Sequence, residues 1–170
     1  SYPKLLDGLF LSLNGSKPAN SYFKVYQKDQ LVNIENVVGT KYADTILGDA
    51  KDNSLNGDAG GDVLSGGAGN DTLDGGGDVG TLDVLSYSYL TSGVSLRLNG
   101  AIQNQFTLSA TDIDTVYNFE GLIGGSGNDT LAGDLKANYL GGGVGDDLFF
   151  VSEGADTLDG GTGNDTVDYS

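Results

Sequence analysis

A nine-residue period constrains this chain more than any other feature. Gly66-Gly67-Ala68-Gly69-Asn70-Asp71-Thr72-Leu73-Asp74 crowds glycine into its first half, places an aspartate sixth and sets an aliphatic residue eighth. Variants of this unit begin at Gly39, Gly48, Gly57, Gly66 and Gly75, and again at Gly124, Gly133, Gly142, Val151 and Gly160. Glycine at positions one, two and four admits positive φ without steric cost, so six residues can close a tight turn. Such a turn aims carbonyl oxygens inward, and carbonyls together with carboxylates are the ligands that Ca²⁺ takes. The last three residues make a short strand whose central aliphatic faces one side. A single unit has almost nothing to bury, whereas stacked units bury each aliphatic on the next.

Composition supports the periodic reading. Glycine, at 29 of 170 residues, stands at more than twice its usual share of about 7%. That content fits a flexible linker or a repeating turn, and the strict period selects the turn. The formal charge is −16 with only eight Lys and Arg, so neither nucleic acid nor an anionic membrane is an expected partner. Most of the acidic residues are aspartates inside the nonads, where bare carboxylates repel one another. About eight divalent ions would balance the formal charge if stacked turns share them. Without cysteine there are no disulfides and no thiolate metal sites. No apolar run is long enough to span a membrane. The chain opens at Ser1 with no Met and no signal-peptide pattern, and is expected to be a piece of something longer.

Displaced by 85 residues, the sequence aligns with itself. Ser1-Tyr2 falls on Ser86-Tyr87, Gly8 to Gly15 on Gly93 to Gly100, Asn33 to Gly39 on Asn118 to Gly124, and Asp29 on Asp114. The expected organisation is therefore two modules, 1–85 and 86–170, which can form one continuous solenoid. Each module begins with a strand-and-loop part (1–38 and 86–123), and its nonads follow (39–85 and 124–168). Leu9, Leu11 and Leu13 share a face, as do Val94, Leu96 and Leu98, the signature of a half-buried strand. The polar excursions, holding Pro18, Tyr22, Phe23 and Tyr26 in copy one and Gln103 to Asp112 in copy two, read as surface loops or short edge strands. The fifth nonad of copy one carries three extra residues, which sets Asp83 to Ser88 on Asp165 to Ser170. Tyr169-Ser170 then stands where a third module would open.

The units resemble the nonapeptide G-G-x-G-x-D-x-U-x of the RTX (repeat-in-toxin) family of secreted bacterial proteins. Gly66 to Asp74, Gly124 to Ala132 and Gly160 to Asp168 carry the likeness best, and Gly142 to Phe150 carries it with Asp146-Asp147 in the middle. The resemblance implies an all-β fold, a right-handed parallel β-roll (β-solenoid) with two nonads per coil. It also implies Ca²⁺ ions between each turn and the turn two nonads on. The position-six residues would then pair Asp44 with Asp62, Asn53 with Asp71, Asp62 with Asp83, Asp129 with Asp147, Asn138 with Asp156, and Asp147 with Asp165. Carbonyls of the turn glycines would complete the shells: Gly57, Gly60, Gly66, Gly67 and Gly69 in copy one, and Gly124, Gly125, Gly127, Gly142, Gly143, Gly145, Gly160, Gly161 and Gly163 in copy two. Asn53 and Asn138, each near a lysine (Lys51, Lys136), mark the sites expected to be weakest. Val151-Ser152-Glu153 departs from the leading glycines and puts the geometry of that turn in question.

Other residues read more plainly. The position-eight aliphatics Ile46, Leu55, Leu64, Leu73, Leu131, Leu140, Phe149, Leu158 and Val167 are core. Glu35, Glu120, Asp29 and Asp114 read as exposed strand positions in preference to an extra ion site at the end of the roll. Tyr22, Phe23 and Tyr26 read as local packing in preference to a patch for an extracellular polysaccharide or protein. The expected function is a calcium-dependent structural module of a secreted or cell-surface bacterial protein, an adhesin or surface-layer-like scaffold. Neighbouring modules of the same longer chain would be its partners. The alternative is an accessory roll on a secreted protease, lipase or polysaccharide-modifying enzyme. The module is not itself expected to be an enzyme: it has no His, no Cys and a single arginine, Arg97, and none of the usual catalytic motifs.

Overall fold

A computed structural model describes residues 8–13, 33–77, 80–99 and 104–170, and the backbone alone of 19–22 and 30–31. Pro18, Phe23, Tyr26 and Asp29, together with the Tyr22 side chain, lie outside the described residues. Every regular element among the described residues is a strand. Copy one contributes β1 (Phe10–Ser12), β2 (Ala19–Tyr22), β3 (Gln30–Leu31), β4 (Asn36–Val38), β5 (Thr45–Leu47), β6 (Ser54–Asn56), β7 (Val63–Ser65), β8 (Thr72–Asp74) and β9 (Val84–Ser86). The second copy opens with β10 (Ser95–Arg97), β11 (Asn104–Ser109), β12 (Asp112–Tyr117) and β13 (Gly121–Ile123). Its nonads add β14 (Thr130–Ala132), β15 (Tyr139–Val144), β16 (Leu148–Phe150), β17 (Thr157–Thr162) and β18 (Thr166–Asp168).

The nonad strands alternate between two faces, so the chain winds as a parallel β-roll with two nonads per coil. One face is a nine-stranded sheet, β17-β15-β13-β9-β7-β5-β1-β2-β3. It crosses from one module to the other through the parallel pair β9–β13. The opposite face is made of two sheets, β11-β12-β8-β6-β4 and β10-β14-β16-β18. The polar excursion of copy two is a hairpin: β11 is an edge strand, but β12 lies inside its sheet, antiparallel to β11 and parallel to β8. Its Thr115, Val116 and Tyr117 repeat the polar–apolar–polar pattern of a nonad strand, and that pattern is what lets it join the stack.

Register puts the central aliphatic of each strand over its neighbour's. Leu11, Ile46, Leu64, Leu85, Leu122, Leu140 and Leu158 form one column. Val37, Leu55, Leu73 and Val116 form a second, and Leu96, Leu131, Phe149 and Val167 a third. All of these are buried except the last residue of two columns: Leu158 is partly covered, and Val167 is 40% exposed. Val167 is thus not the core residue its position-eight place implied. Fully burying one such side chain contributes about 1.5–3 kcal/mol, and these columns make up most of the core, with Leu13, Tyr87, Leu98, Phe106 and Phe119 packed beside them. Leu64→Ala is expected to lower unfolding free energy in saturating calcium by about 2–5 kcal/mol, against under about 1 for Val167→Ala; paired urea denaturation curves check both.

Candidate metal centre

The turns between strands stack along the two edges of the roll, and the position-six carboxylates join them. The peptide N–H of Asp44 donates to Oδ1 of Asp62 at 2.7 Å, and that of Asp62 to Oδ1 of Asp83 at 2.8 Å. On the other edge Asn53 donates to Asp71 at 2.8 Å. In copy two Asp129 donates to Asp147 at 2.7 Å, Asn138 to Asp156 at 2.9 Å, and Asp147 to Asp165 at 3.0 Å. All six anticipated pairs are brought together, and what visibly links each is a peptide N–H to a carboxylate, the stronger charge-assisted kind of hydrogen bond. The three extra residues in the fifth nonad leave Asp83 on its rung.

The second carboxylate oxygen points back into its own turn. A Cβ built on Gly39, Gly57, Gly66, Gly124, Gly142 or Gly160 would overlap Oδ2 of the aspartate five residues on. Glycine at position one is therefore a matter of room for a carboxylate. Positions two and four carry the backbone strain: Gly67 and Gly69 have φ of 95° and 117°. A side chain on Gly67 would strike the Asp49 carbonyl oxygen. The same stacking sets the Gly125 carbonyl against Gly143, Gly127 against Gly145, Gly143 against Gly161 and Gly145 against Gly163. Gly60 stands over the Tyr42 carbonyl in the same way. Turn rests on turn through bare carbonyls.

This arrangement leaves a chemical deficit. Oδ2 of Asp71, Asp147 and Asp156 is buried and accepts no hydrogen bond, although a buried carboxylate oxygen without a partner is costly. By contrast Asp129 Oδ2 receives the N–H of Gly125 at 2.7 Å, and Asp44 Oδ2 that of Thr40. The amide oxygens of Asn53 and Asn138 are likewise occupied by their own turns, through the N–H of Asp49 at 2.8 Å and of Asp134 at 2.7 Å. The Lys51 ammonium pairs with Glu35 at 2.5 Å. Among the described residues no three carboxylates converge, so a cation would be held by one or two carboxylates and the carbonyls around them. An all-oxygen donor set of this kind suits a hard cation, Ca²⁺ above the transition metals.

Three features lie outside what the nonad pattern indicates. Asp114 is fully buried and sits on the rung above Asp71, whose N–H it accepts at 3.0 Å, while its other oxygen takes the Tyr87 hydroxyl at 2.9 Å. It is not an exposed strand position. Glu120 similarly receives the N–H of Asp83 at 3.3 Å, which continues the ladder across the module boundary. Position five carries a second ladder, in which Asn70 donates to Asp52 at 2.8 Å, Asp146 to Asn128 at 3.0 Å, and Asn164 to Asp146 at 2.9 Å. The Asn and Asp residues at position five were its visible signal. The Val151-Ser152-Glu153 turn keeps its rung, with Gly154 at φ 125° in position four.

Stacked, glycine-cornered turns with inward oxygens on a parallel roll define a calcium-binding β-roll. The family model for the RTX calcium-binding nonapeptide repeat matches in four copies, at residues 34–64, 47–82, 123–152 and 141–169. These cover more than half of the chain, which belongs to that family. No curated protein matches the sequence.

Burial makes these carboxylates hard to ionise when no cation is bound. Asp71 is pushed up to about 7, first by desolvation and then by Asp114, Asp112 and Asp52, against the opposing N–H of Asn53. Asp114 is raised to about 6, again mainly by desolvation, with the Asp71 N–H and the Tyr87 hydroxyl opposing. Asp147 shifts the same way and for the same leading reason. A raised carboxyl pKa means that the folded, ion-free chain holds protons the unfolded chain releases. Its stability is thus greatest below the ordinary carboxylate range and is lost as pH rises through about 6–7. In chelator, the β-sheet circular dichroism signal is expected to be larger at pH 5 than at pH 8. Asp71→Asn and Asp147→Asn keep the Oδ1 acceptor but lose the charge; each is expected to raise the calcium midpoint about tenfold, read by the same signal in a calcium titration.

Proposed function

We propose that this chain is a calcium-dependent folding module of a secreted or cell-surface bacterial protein, serving as a structural scaffold of the adhesin or surface-layer kind. The supporting observation is the set of buried carboxylate oxygens, those of Asp71, Asp147 and Asp156, that no protein group satisfies. A fold stabilised only when cations fill such places couples ion binding to folding, because no site exists before the turns stack. Inside a cell, where calcium is scarce, the acidic chain stays expanded and can be exported; outside, it folds. The 85-residue duplication, with strand-and-hairpin segments between nonad blocks, favours a tandem scaffold over an accessory roll on a secreted enzyme.

On this reading the module performs no catalysis of its own, since its carboxylates are engaged as rungs and prospective ion ligands. Residues of the turns would hold the ion through Oδ2 of Asp71, Asp147 and Asp156 and the carbonyls stacked beside them. Far-ultraviolet circular dichroism and small-angle scattering, with chelator, with calcium and with magnesium, test the proposal. The expected result is an expanded coil in chelator, compaction with β-structure in calcium, and little response to magnesium, which demands a tighter octahedral shell. Equal compactness in chelator and in calcium would rule the proposal out.

A further inference from the structure

The hairpin of copy two stacks on the 66–71 turn of copy one in the register of an ordinary coil. Ile113 donates its N–H to Asn70 Oδ1 at 3.0 Å, and Thr115 donates to the Asp71 carbonyl at 2.8 Å. Asp114 accepts the Asp71 N–H at 3.0 Å. Residues 113 and 114 thus follow the ladders of positions five and six, which sets Asp112 at position four, over Gly69. In the nonad stacks that place belongs to glycine, as at Gly60, Gly127, Gly145 and Gly163. Here the incoming coil brings a carboxylate instead.

Two oxygens at this contact have no partner. Asp71 is 1% exposed, and its Oδ2 points back into the turn, against Gly66, where it accepts no hydrogen bond. Oδ1 of Asp112 is buried as well and accepts none, although this carboxylate faces the Gly69 N–H. Asp114, by contrast, is fully occupied by the Asp71 N–H and the Tyr87 hydroxyl. Tyr89 borders the contact: its hydroxyl donates to the Gly67 carbonyl, and its ring lies 6.2 Å from that of Tyr87. The side-chain charges that bear on Asp71 are those of Asp114, Asp112 and Asp52, all negative. Burying carboxylate oxygens without a partner is costly, and the charge this contact lacks is positive. Its hairpin half lies between the stretches that match the nonapeptide repeat, which end at 82 and resume at 123.

We propose that Asp71, through Oδ2, and Asp112, through Oδ1, together hold a divalent cation between the fourth nonad of copy one and the hairpin of copy two. Oxygen ligands make it a hard-cation site, for Ca²⁺ above the transition metals, with peptide carbonyls and water completing the shell. Its two carboxylates come from opposite sides of the 85-residue repeat boundary, so the ion ties one module to the other. The proposal rests on the calcium reading above, because the 66–71 turn takes its shape only in the folded chain.

The chain has no tryptophan, so Tyr89→Trp installs a single antenna beside the contact, excited where tyrosine does not absorb. Terbium takes the place of calcium in oxygen sites and luminesces when such an antenna lies close. Sensitised emission is expected from the folded Tyr89→Trp chain, with circular dichroism read on the same samples. Adding Asp112→Asn should raise the terbium concentration at half-saturation at least about tenfold. Asp159→Asn, at an exposed acid of copy two, should leave it unchanged. Equilibrium dialysis without the antenna should find one calcium ion fewer on Asp112→Asn than on the parent chain. Dark terbium in a Tyr89→Trp sample whose dichroism shows calcium-induced folding overturns the site, as does a half-saturation or an ion count indifferent to Asp112→Asn. An absent calcium response in the dichroism of the parent chain overturns the folding proposal instead.

Discussion

The roll depends on one interaction repeated along its edges: a peptide N–H of one coil donated to the position-six carboxylate of the next. It fixes the axial register, because each Oδ1 accepts the peptide N–H of one neighbouring coil. It also determines the residue types around it. In most turns the carboxylate takes the space of a missing Cβ at position one, and the coils use glycine where their carbonyls meet the next turn. What looks like a metal-binding motif is first a rule for stacking backbones.

The same interaction creates the difficulty that cations resolve. Successive coils stand about 4.8 Å apart, and two unit charges at that distance repel by about 3 kcal/mol at an effective dielectric constant of 20. A few such neighbours on each edge amount to a sum comparable with the 5–15 kcal/mol by which a typical domain is stable. The N–H donors offset part of this. For Asp71, Asp147 and Asp156 they leave the second oxygen unserved. On the proposed reading, neutralising the ladder from inside the turns is a condition of folding.

Much of this was legible in the sequence because the period encodes geometry directly. Spacing of nine predicts which carboxylates face each other, and the observed pairs from Asp44–Asp62 to Asp147–Asp165 follow that spacing even where three residues are inserted before Asp83. The module linker was harder to read. Asp114 and Glu120 occupy rungs without glycine turns ahead of them, so no local pattern distinguishes them from surface acids. Tyr87 likewise looks like the end of a strand. Its burial comes from a hairpin folding back across it, a contact between residues 27 apart that no nine-residue window contains. The exposure of Val167 was equally invisible, since position eight promises a core only when another coil follows.

The two faces of the roll are built differently, and that difference bears on how the two modules are joined. On one face the sheet passes through the module boundary without a break. On the other, β11 and β10 belong to separate sheets and border a shallow groove lined by Arg97, Asn99, Gln105 and Phe106. Among the described residues the break falls within the second copy, so no strand ladder on that face links β10-β14-β16-β18 to the first copy, and the continuous sheet opposite makes that link.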